Sequence, residues 1–179
     1  MGINIRKEQL KDREEIYNLI KESFKSAEHS DGSEQDLVNR LRNSGSYIHD
    51  LSLVATCDKT IVGHIMFTKI SIENNDLKTE SLALAPLSGL PKYQRQGIGS
   101  KLISEGLKIA KNLGYKSVVV LGSEKYYPRF GFKEAKEFGV NPPFDVPNEN
   151  FMVIELESSS LKNVNGVVKY AKEFLKLNN

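Results

Sequence analysis

Two glycines separated by one residue, Gly97 and Gly99, lie in the run Gln94-Arg95-Gln96-Gly97-Ile98-Gly99-Ser100-Lys101-Leu102, where a turn leads directly into a helix start. The first amides of a helix lack an intrahelical acceptor and sit at the positive end of its dipole, so an anion placed there meets several converging donors. A glycine brings the backbone close to that anion because no Cβ intervenes. The run therefore reads as a bed of N–H groups for a pyrophosphate. Two better-known glycine signatures do not fit. A dinucleotide fingerprint needs a third glycine at position 102, where Leu102 stands, and a P-loop needs Gly-Lys-Ser/Thr, whereas Gly99 is followed by Ser100.

A strand pattern and Pro91 precede Gln94-x-x-Gly97-x-Gly99, and a further strand pattern leads to Tyr127-Pro128-Arg129-Phe130-Gly131-Phe132. The order and spacing of these two motifs resemble the acyl-CoA signature of the GCN5-related N-acetyltransferase (GNAT) superfamily. Within it, Leu84-Ala85-Pro86-Leu87, Val118-Val119-Val120-Leu121-Gly122 and the pair Tyr126-Tyr127 are similar to a bacterial and archaeal group of predicted acetyltransferases. The motifs span residues 82 to 132, and the fold-level likeness covers nearly the whole chain.

The resemblance implies acetyl-CoA as cosubstrate and transfer of its acetyl group to a primary amine by direct attack. The acceptor would be an amine-bearing small molecule or protein, and a homodimer is compatible with the family. The pyrophosphate would rest on the amides of Arg95, Gln96, Gly97, Ile98, Gly99 and Ser100, flanked by Gln94 and Lys101. The thioester would lie between the strand ending near Leu90, with Leu87 beside it, and the strand from Ser117 to Leu121. The family draws an oxyanion donor from the backbone of the earlier strand, here around Gly89 or Leu90. It commonly has valine or isoleucine where this chain has Gly89.

Tyr127, four residues before Gly131, occupies the position of the family's general acid. A departing thiolate, with a pKa of roughly 8.5 judged from cysteine, suits a phenol of pKa about 10 as proton donor. Tyr126 reads as its packing neighbour. An alkylammonium with a pKa near 10 must lose a proton before it attacks. Related enzymes use glutamate, histidine or an ordered water chain, which makes Glu34, His64, Glu80 and water the candidates. Glu34 opens a helix, where the dipole alone favours a carboxylate, and His64 beside Gly63 also suits a sheet residue. A non-catalytic acyl-CoA sensor would need Gln94 to Lys101 but not Tyr127.

Composition narrows the alternatives. The chain has 179 residues, enough for one acetyltransferase domain with its own core. Lysine plus arginine number 25 against 23 aspartate plus glutamate, a net charge of +2 that argues for neither nucleic acid nor an anionic membrane. Cys57 is the lone cysteine and ends an apolar strand pattern as a small buried hydrophobe. His29 and His49 are scattered, and no ligand set has metal spacing, so no metal is expected. The start of the chain lacks the apolar core of a signal peptide, and no apolar run approaches the roughly 20 residues that cross a bilayer. A cytoplasmic protein is the expectation.

The elements that must position these residues follow from periodicity. Ile3 and Ile5 mark a strand, and Ile16, Leu19, Ile20 and Phe24 mark a helix capped by Asp12 with Glu15 completing a capping box. Ser33 is placed to cap a second helix carrying Leu37, Val38 and Leu41. Residues 51 to 56, 61 to 72 and 79 to 90 read as three antiparallel strands, with a hairpin at Asp58-Lys59-Thr60. A helix over 99 to 113, with Leu102, Gly106, Ile109 and Leu113 on one stripe, stops at Gly114. The apolar run 117 to 121 then returns parallel to the strand before the glycines. A short helix at 124 to 130 and strands at 132 to 138 and 151 to 156 follow. Helix and strand both remain open for the tail from Leu161. The expected fold is a GNAT-like α/β domain: a mixed, mostly antiparallel sheet of six or seven strands, a central splayed parallel pair, and helices on both faces.

Overall fold

A computed structural model describes residues 2–175. Its strands are β1 (Ile3–Lys7), β2 (Tyr47–Cys57), β3 (Thr60–Glu73), β4 (Lys78–Gly89), β5 (Ser117–Leu121), β6 (Lys133–Glu134), β7 (Val140–Asn141), β8 (Phe151–Glu155) and β9 (Gly166–Lys169). The helices are α1 (Arg13–Phe24), α2 (Glu34–Arg42) and α3 (Ile98–Asn112). Among the described residues the strands form one sheet in the order β1-β2-β3-β4-β5-β8-β6, with β9 joined to β3 and β7. Seven strands have four residues or more, while β6 and β7 have two each. The pairing at the centre, β4 with β5, is parallel, and its neighbours on either side are antiparallel.

Side-chain alternation assigns the two faces. Leu82 and Leu84 of β4 and Val118 and Val120 of β5 join the core beneath α3, whereas Ala83 and Val119 point the other way. On β3 and β2, Ile65 and Leu53 face α3 while Met66 and Val54 pack under α1 and α2 with Ile16, Ile20 and Leu41. The β2–β3 hairpin turns through Asp58 (φ 49°) and Lys59 (φ 70°), two successive left-handed residues whose twist matches that of the strands. In the tail from Leu161, the described residues form a strand only at β9, which continues the sheet edge beside β3 where β2 has ended, and a 3-10 turn over Lys172–Phe174; residues 176–179 lie outside the described part. No described helix is long and apolar enough to cross a membrane.

Several local expectations are corrected by tertiary contacts. Asp12 does not cap α1: its carboxylate accepts from the Arg6 guanidinium (2.6 and 3.1 Å) and from the Gln9 N–H (2.7 Å). Glu15 forms no capping box but accepts the Ile61 N–H at 2.9 Å. The Ser33 hydroxyl is likewise drawn away from α2, donating to Asp31 at 2.6 Å. The short helix near 124 narrows to a 3-10 turn over Tyr127–Phe130, and the strand from 132 shrinks to two residues because Ala135–Phe138 coils into another. On α3 the buried stripe is Leu102, Ile103, Gly106 and Ala110, and Leu113 is exposed.

A buried ion network ties the second helix to the sheet. Glu8 accepts from Arg42 (2.7 and 3.0 Å) and from the Tyr47 hydroxyl (2.6 Å). Burial alone would raise the Glu8 pKa, but the hydrogen bonds from Arg42 and Tyr47 outweigh it and hold the carboxyl below its ordinary value.

Gly106 is where α3 approaches β3 most closely, since a Cβ there would fall on the Phe67 ring. Phe67 is fully buried and has no room to yield. Gly106→Ala is therefore expected to destabilise the fold by about 1–3 kcal/mol through overpacking. Combining it with Phe67→Leu should recover part of that loss in urea unfolding, and strictly additive losses would contradict the contact.

Candidate active site

The central strands part almost as soon as they meet. Register pairs join β4 and β5 only at Leu82–Val118 and Ala83–Val119. Immediately beyond, β4 is bulged: Leu84 pairs with Phe67 and Leu87 with Ile65, so Ala85 and Pro86 stand opposite the single residue Met66. An extra residue in one strand bends it and breaks the ladder locally. The space that opens is a cavity of about 830 Å³, walled by Ala83 to Leu87 on one side and Val119 to Leu121 on the other. Tyr127 lines it as well.

A second cavity of about 570 Å³ adjoins at Leu87, which lines both. Its floor is the glycine turn, with Gln94, Arg95, Gly97, Ile98, Gly99 and Ser100. Arg95 (φ 63°) and Gly97 (φ 79°) are both left-handed, and the turn they make delivers the chain into α3. The Lys101 N–H donates to the Gly97 carbonyl at 3.0 Å and opens the helical ladder. The amides of Ile98, Gly99 and Ser100 come before that bond and have no helical acceptor. Gly97 is required by its φ, whereas a Cβ on Gly99 would stand 2.7 Å from the Tyr126 hydroxyl. Gln96, Lys101 and Leu90 do not line either cavity. Sequence reasoning missed Arg129, which lines the phosphate-sized cavity with its guanidinium 4.7 Å over the Tyr126 ring. Its position beside Tyr127 in the second motif was the only available signal.

Ladder alternation decides which amide faces the opening. The Leu90 N–H donates to the Val62 carbonyl at 2.9 Å, so Leu90 is spent within the sheet. In an antiparallel ladder, hydrogen-bonded and non-bonded pairs alternate, so Gly89 opposite Gly63 and Leu87 opposite Ile65 turn their N–H groups away from β3. The Gly89 N–H is met by the Ser23 hydroxyl at 3.2 Å. The amide aimed at the gap left by β5 is thus that of Leu87, rather than Gly89 or Leu90.

The adjacent tyrosines address different cavities. Tyr126 hangs over Gly99, whereas Tyr127 sits between Gly122, whose missing side chain leaves room for its ring, and Phe132. The two rings meet edge to face at 5.2 Å. Burial, and secondarily Tyr126, push the Tyr127 phenol above the ordinary tyrosine value, so it stays protonated through the neutral range. No hydrogen bond to its hydroxyl forms among the described residues.

The three candidate bases are separated by the fold. His64 is fully buried within the sheet, bonded to the Ser52 hydroxyl at 3.1 Å, and burial lowers its pKa to about 4. It lines neither cavity. Glu80 faces a third cavity with Lys69 and Lys78. Glu34 alone of the three lines the cavity that holds Tyr127. Its Oε1 accepts from the Ser30 hydroxyl at 2.5 Å, and its Oε2 is buried with no hydrogen-bond partner among the described residues. Cys57 is free and buried on β2, away from all of this.

A parted parallel pair, a bulge beside the gap and a helix-start anion bed define an acetyltransferase fold, and comparison with known proteins agrees. Residues 13–132 match the acetyltransferase (GNAT) family. The N-acetyltransferase YhbS of Escherichia coli K12 is 33% identical over 157 residues, covering 87% of this chain and 89% of its own. The crystal structure of E. coli YhbS in complex with CoA aligns with a TM-score of 0.86 over 96% of this chain and 91% of that one. A GNAT family acetyltransferase from Brucella melitensis, solved with acetyl-CoA, is 32% identical with a TM-score of 0.80 over 97% and 98% of the two chains. The chain belongs to the GNAT family of N-acetyltransferases.

The burial of Tyr127 has a spectroscopic consequence. In alkaline titration, the difference between the wild type and Tyr127→Phe should isolate a phenol that ionises above the ordinary tyrosine range. A difference curve centred near pH 10, the value of an exposed tyrosine, would contradict its placement.

Proposed function

We propose that this enzyme binds acetyl-CoA and transfers its acetyl group directly to a primary amine, with Tyr127 protonating the departing thiolate. The observation that carries this reading is the parting of β4 from β5 after two registered pairs, which sets the Tyr127 cavity and the glycine-turn cavity end to end around Leu87. The pyrophosphate rests on the amides of Ile98, Gly99 and Ser100, with Arg95 and Arg129 beside it. The pantetheine arm passes Leu87 into the gap, where β4 backbone groups no longer bonded to β5 pair with its amides. Both cavities are complete within one chain, so the reading requires no second copy.

The amine nitrogen attacks the thioester carbon, and negative charge builds on the carbonyl oxygen. A backbone N–H already aimed at that oxygen stabilises the charge without reorganising, and the Leu87 amide is the donor so aimed. The ammonium having first given one proton to solvent, the carbon–sulfur bond then breaks, the thiolate takes the Tyr127 proton, and the proton shed by the acylated nitrogen returns through solvent to the phenolate. The burial that raises the phenol's pKa also raises that of a thiol bound beside it, so donor and acceptor stay matched.

Two expectations test this. Replacing Gly97 or Gly99 with valine should weaken CoA binding in calorimetry far more than Lys101→Ala, because Gly97 needs a left-handed φ and Gly99 lies under Tyr126, while Lys101 faces away. Equal losses at the three positions would refute an amide bed. Tyr127→Phe should leave CoA affinity intact and lower kcat about 10- to 1000-fold, or about 1.4 to 4 kcal/mol in the barrier. Tyr126→Phe should act on CoA affinity instead. A broad amine screen monitored by thiol release tests the reaction itself: CoA binding with no release for any amine would indicate a binding module.

A further inference from the structure

The cavity beyond Tyr127 is larger than an acetyl thioester needs, and its far walls come from separate parts of the chain. Phe24 of α1, Leu37 of α2, Phe144, Tyr170 and Phe174 all line it, and Phe174 packs in the same cluster as Phe24 and Leu37. Phe144 and Tyr170 stack with their rings 6.0 Å apart and 17° from parallel, and Tyr170 also meets Phe174 at 5.1 Å. These three aromatics lie outside residues 13–132, the part shared with the family. Phe144 remains 41% exposed and Leu175 69% exposed, so apolar surface faces water at the cavity's edge. Exposed apolar surface around a concave site suits an apolar ligand.

The charges in this lining are few and uneven. Among the described lining residues Glu34 supplies the only carboxylate, and a buried carboxylate oxygen without a donor is costly until a cation or N–H reaches it. Lys169 and Lys172 also line it, but both are exposed and the Lys169 ammonium lies 4.0 Å from Glu73, so neither offers an anion to a second ammonium. Building on the acetyl-transfer reading above, we infer that the acceptor is a primary monoamine on an apolar body of alkyl or arylalkyl type, whose ammonium is first drawn to Glu34 and then loses a proton to solvent to free the attacking nitrogen. The aromatic walls take the body and the single carboxylate takes the single charge, which leaves the second ammonium of a polyamine without a partner. A long acyl chain in the same space would leave Glu34 unpaired among apolar groups, which counts against that use of the cavity.

The test compares matched amines in the thiol-release assay with acetyl-CoA: hexylamine, 2-phenylethylamine and hexane-1,6-diamine. The diamine differs from hexylamine by its second ammonium. Hexylamine and 2-phenylethylamine should exceed the diamine by about tenfold or more in kcat/KM, since a site built around one charge leaves the other unpaired. Glu34→Gln should raise KM for hexylamine about tenfold or more, with CoA affinity unchanged. A diamine equal to or better than hexylamine overturns the inference and leaves acetyl transfer standing. So does a Glu34→Gln enzyme that loses kcat at unchanged KM, or a hexanoyl-CoA preferred over acetyl-CoA with no response to Glu34→Gln. No thiol release from any amine, with CoA still bound, overturns both readings together.

Discussion

The site depends on one interruption of backbone pairing. A parallel sheet normally continues its ladder for the length of its strands, and here the ladder between β4 and β5 ends after two pairs. Ala85 and Pro86 make this happen, since the bulge they form against Met66 swings β4 aside while β3 stays bonded to it on the other edge. Unpaired backbone polar groups inside a protein are costly unless something bonds them. The gap is thus both a vacancy in the sheet and an offer of hydrogen bonds to an extended, amide-bearing ligand. The anion bed, the phenol and the Leu87 amide have meaning because they border that gap.

The tyrosine pair shows how neighbours in sequence acquire separate tasks. A 3-10 turn at Tyr127–Phe130 sends consecutive side chains in different directions, one toward the helix start and the other toward the parted strands. Gly122 and Gly99 act as the matching recesses, each leaving the space one tyrosine occupies. Swapping which tyrosine faces which cavity would require rebuilding both recesses.

Local signals were legible in the sequence and long-range ones were not. The glycine turn, the helix it opens and the strand that returns beside β4 are encoded within about thirty consecutive residues, where periodicity and turn chemistry suffice. The caps proposed at Asp12, Glu15 and Ser33 failed because those side chains are claimed by Arg6, Ile61 and Asp31. Local rules do not see such partners. That the Leu90 N–H is spent on Val62 while the Leu87 N–H turns away from β3 depends on the register with β3, which no spacing within β4 reveals. The cavity shared by Glu34 and Tyr170 was illegible for the same reason: it depends on a sheet whose edge strand, β9, had no decisive pattern of its own.

The short helix α2 is fastened at its far end. Arg42, in its last turn, is locked into the buried Glu8 and Tyr47 cluster, while Glu34 in its first turn borders the cavity. Breaking such a buried ion pair costs several kcal/mol, so the helix behaves as a clamped strut rather than a door. The aromatic part of the lining is tied down as well: Phe174 packs with Phe24 and Leu37, and the Arg40 side chain of α2 donates to the Glu173 carbonyl at 3.3 Å. The clamp on Arg42 thus reaches the cavity through one short helix: Glu34 at its start is a fixed reference point against which a guest's charge is measured, and the chain around Glu173 is moored to the same helix.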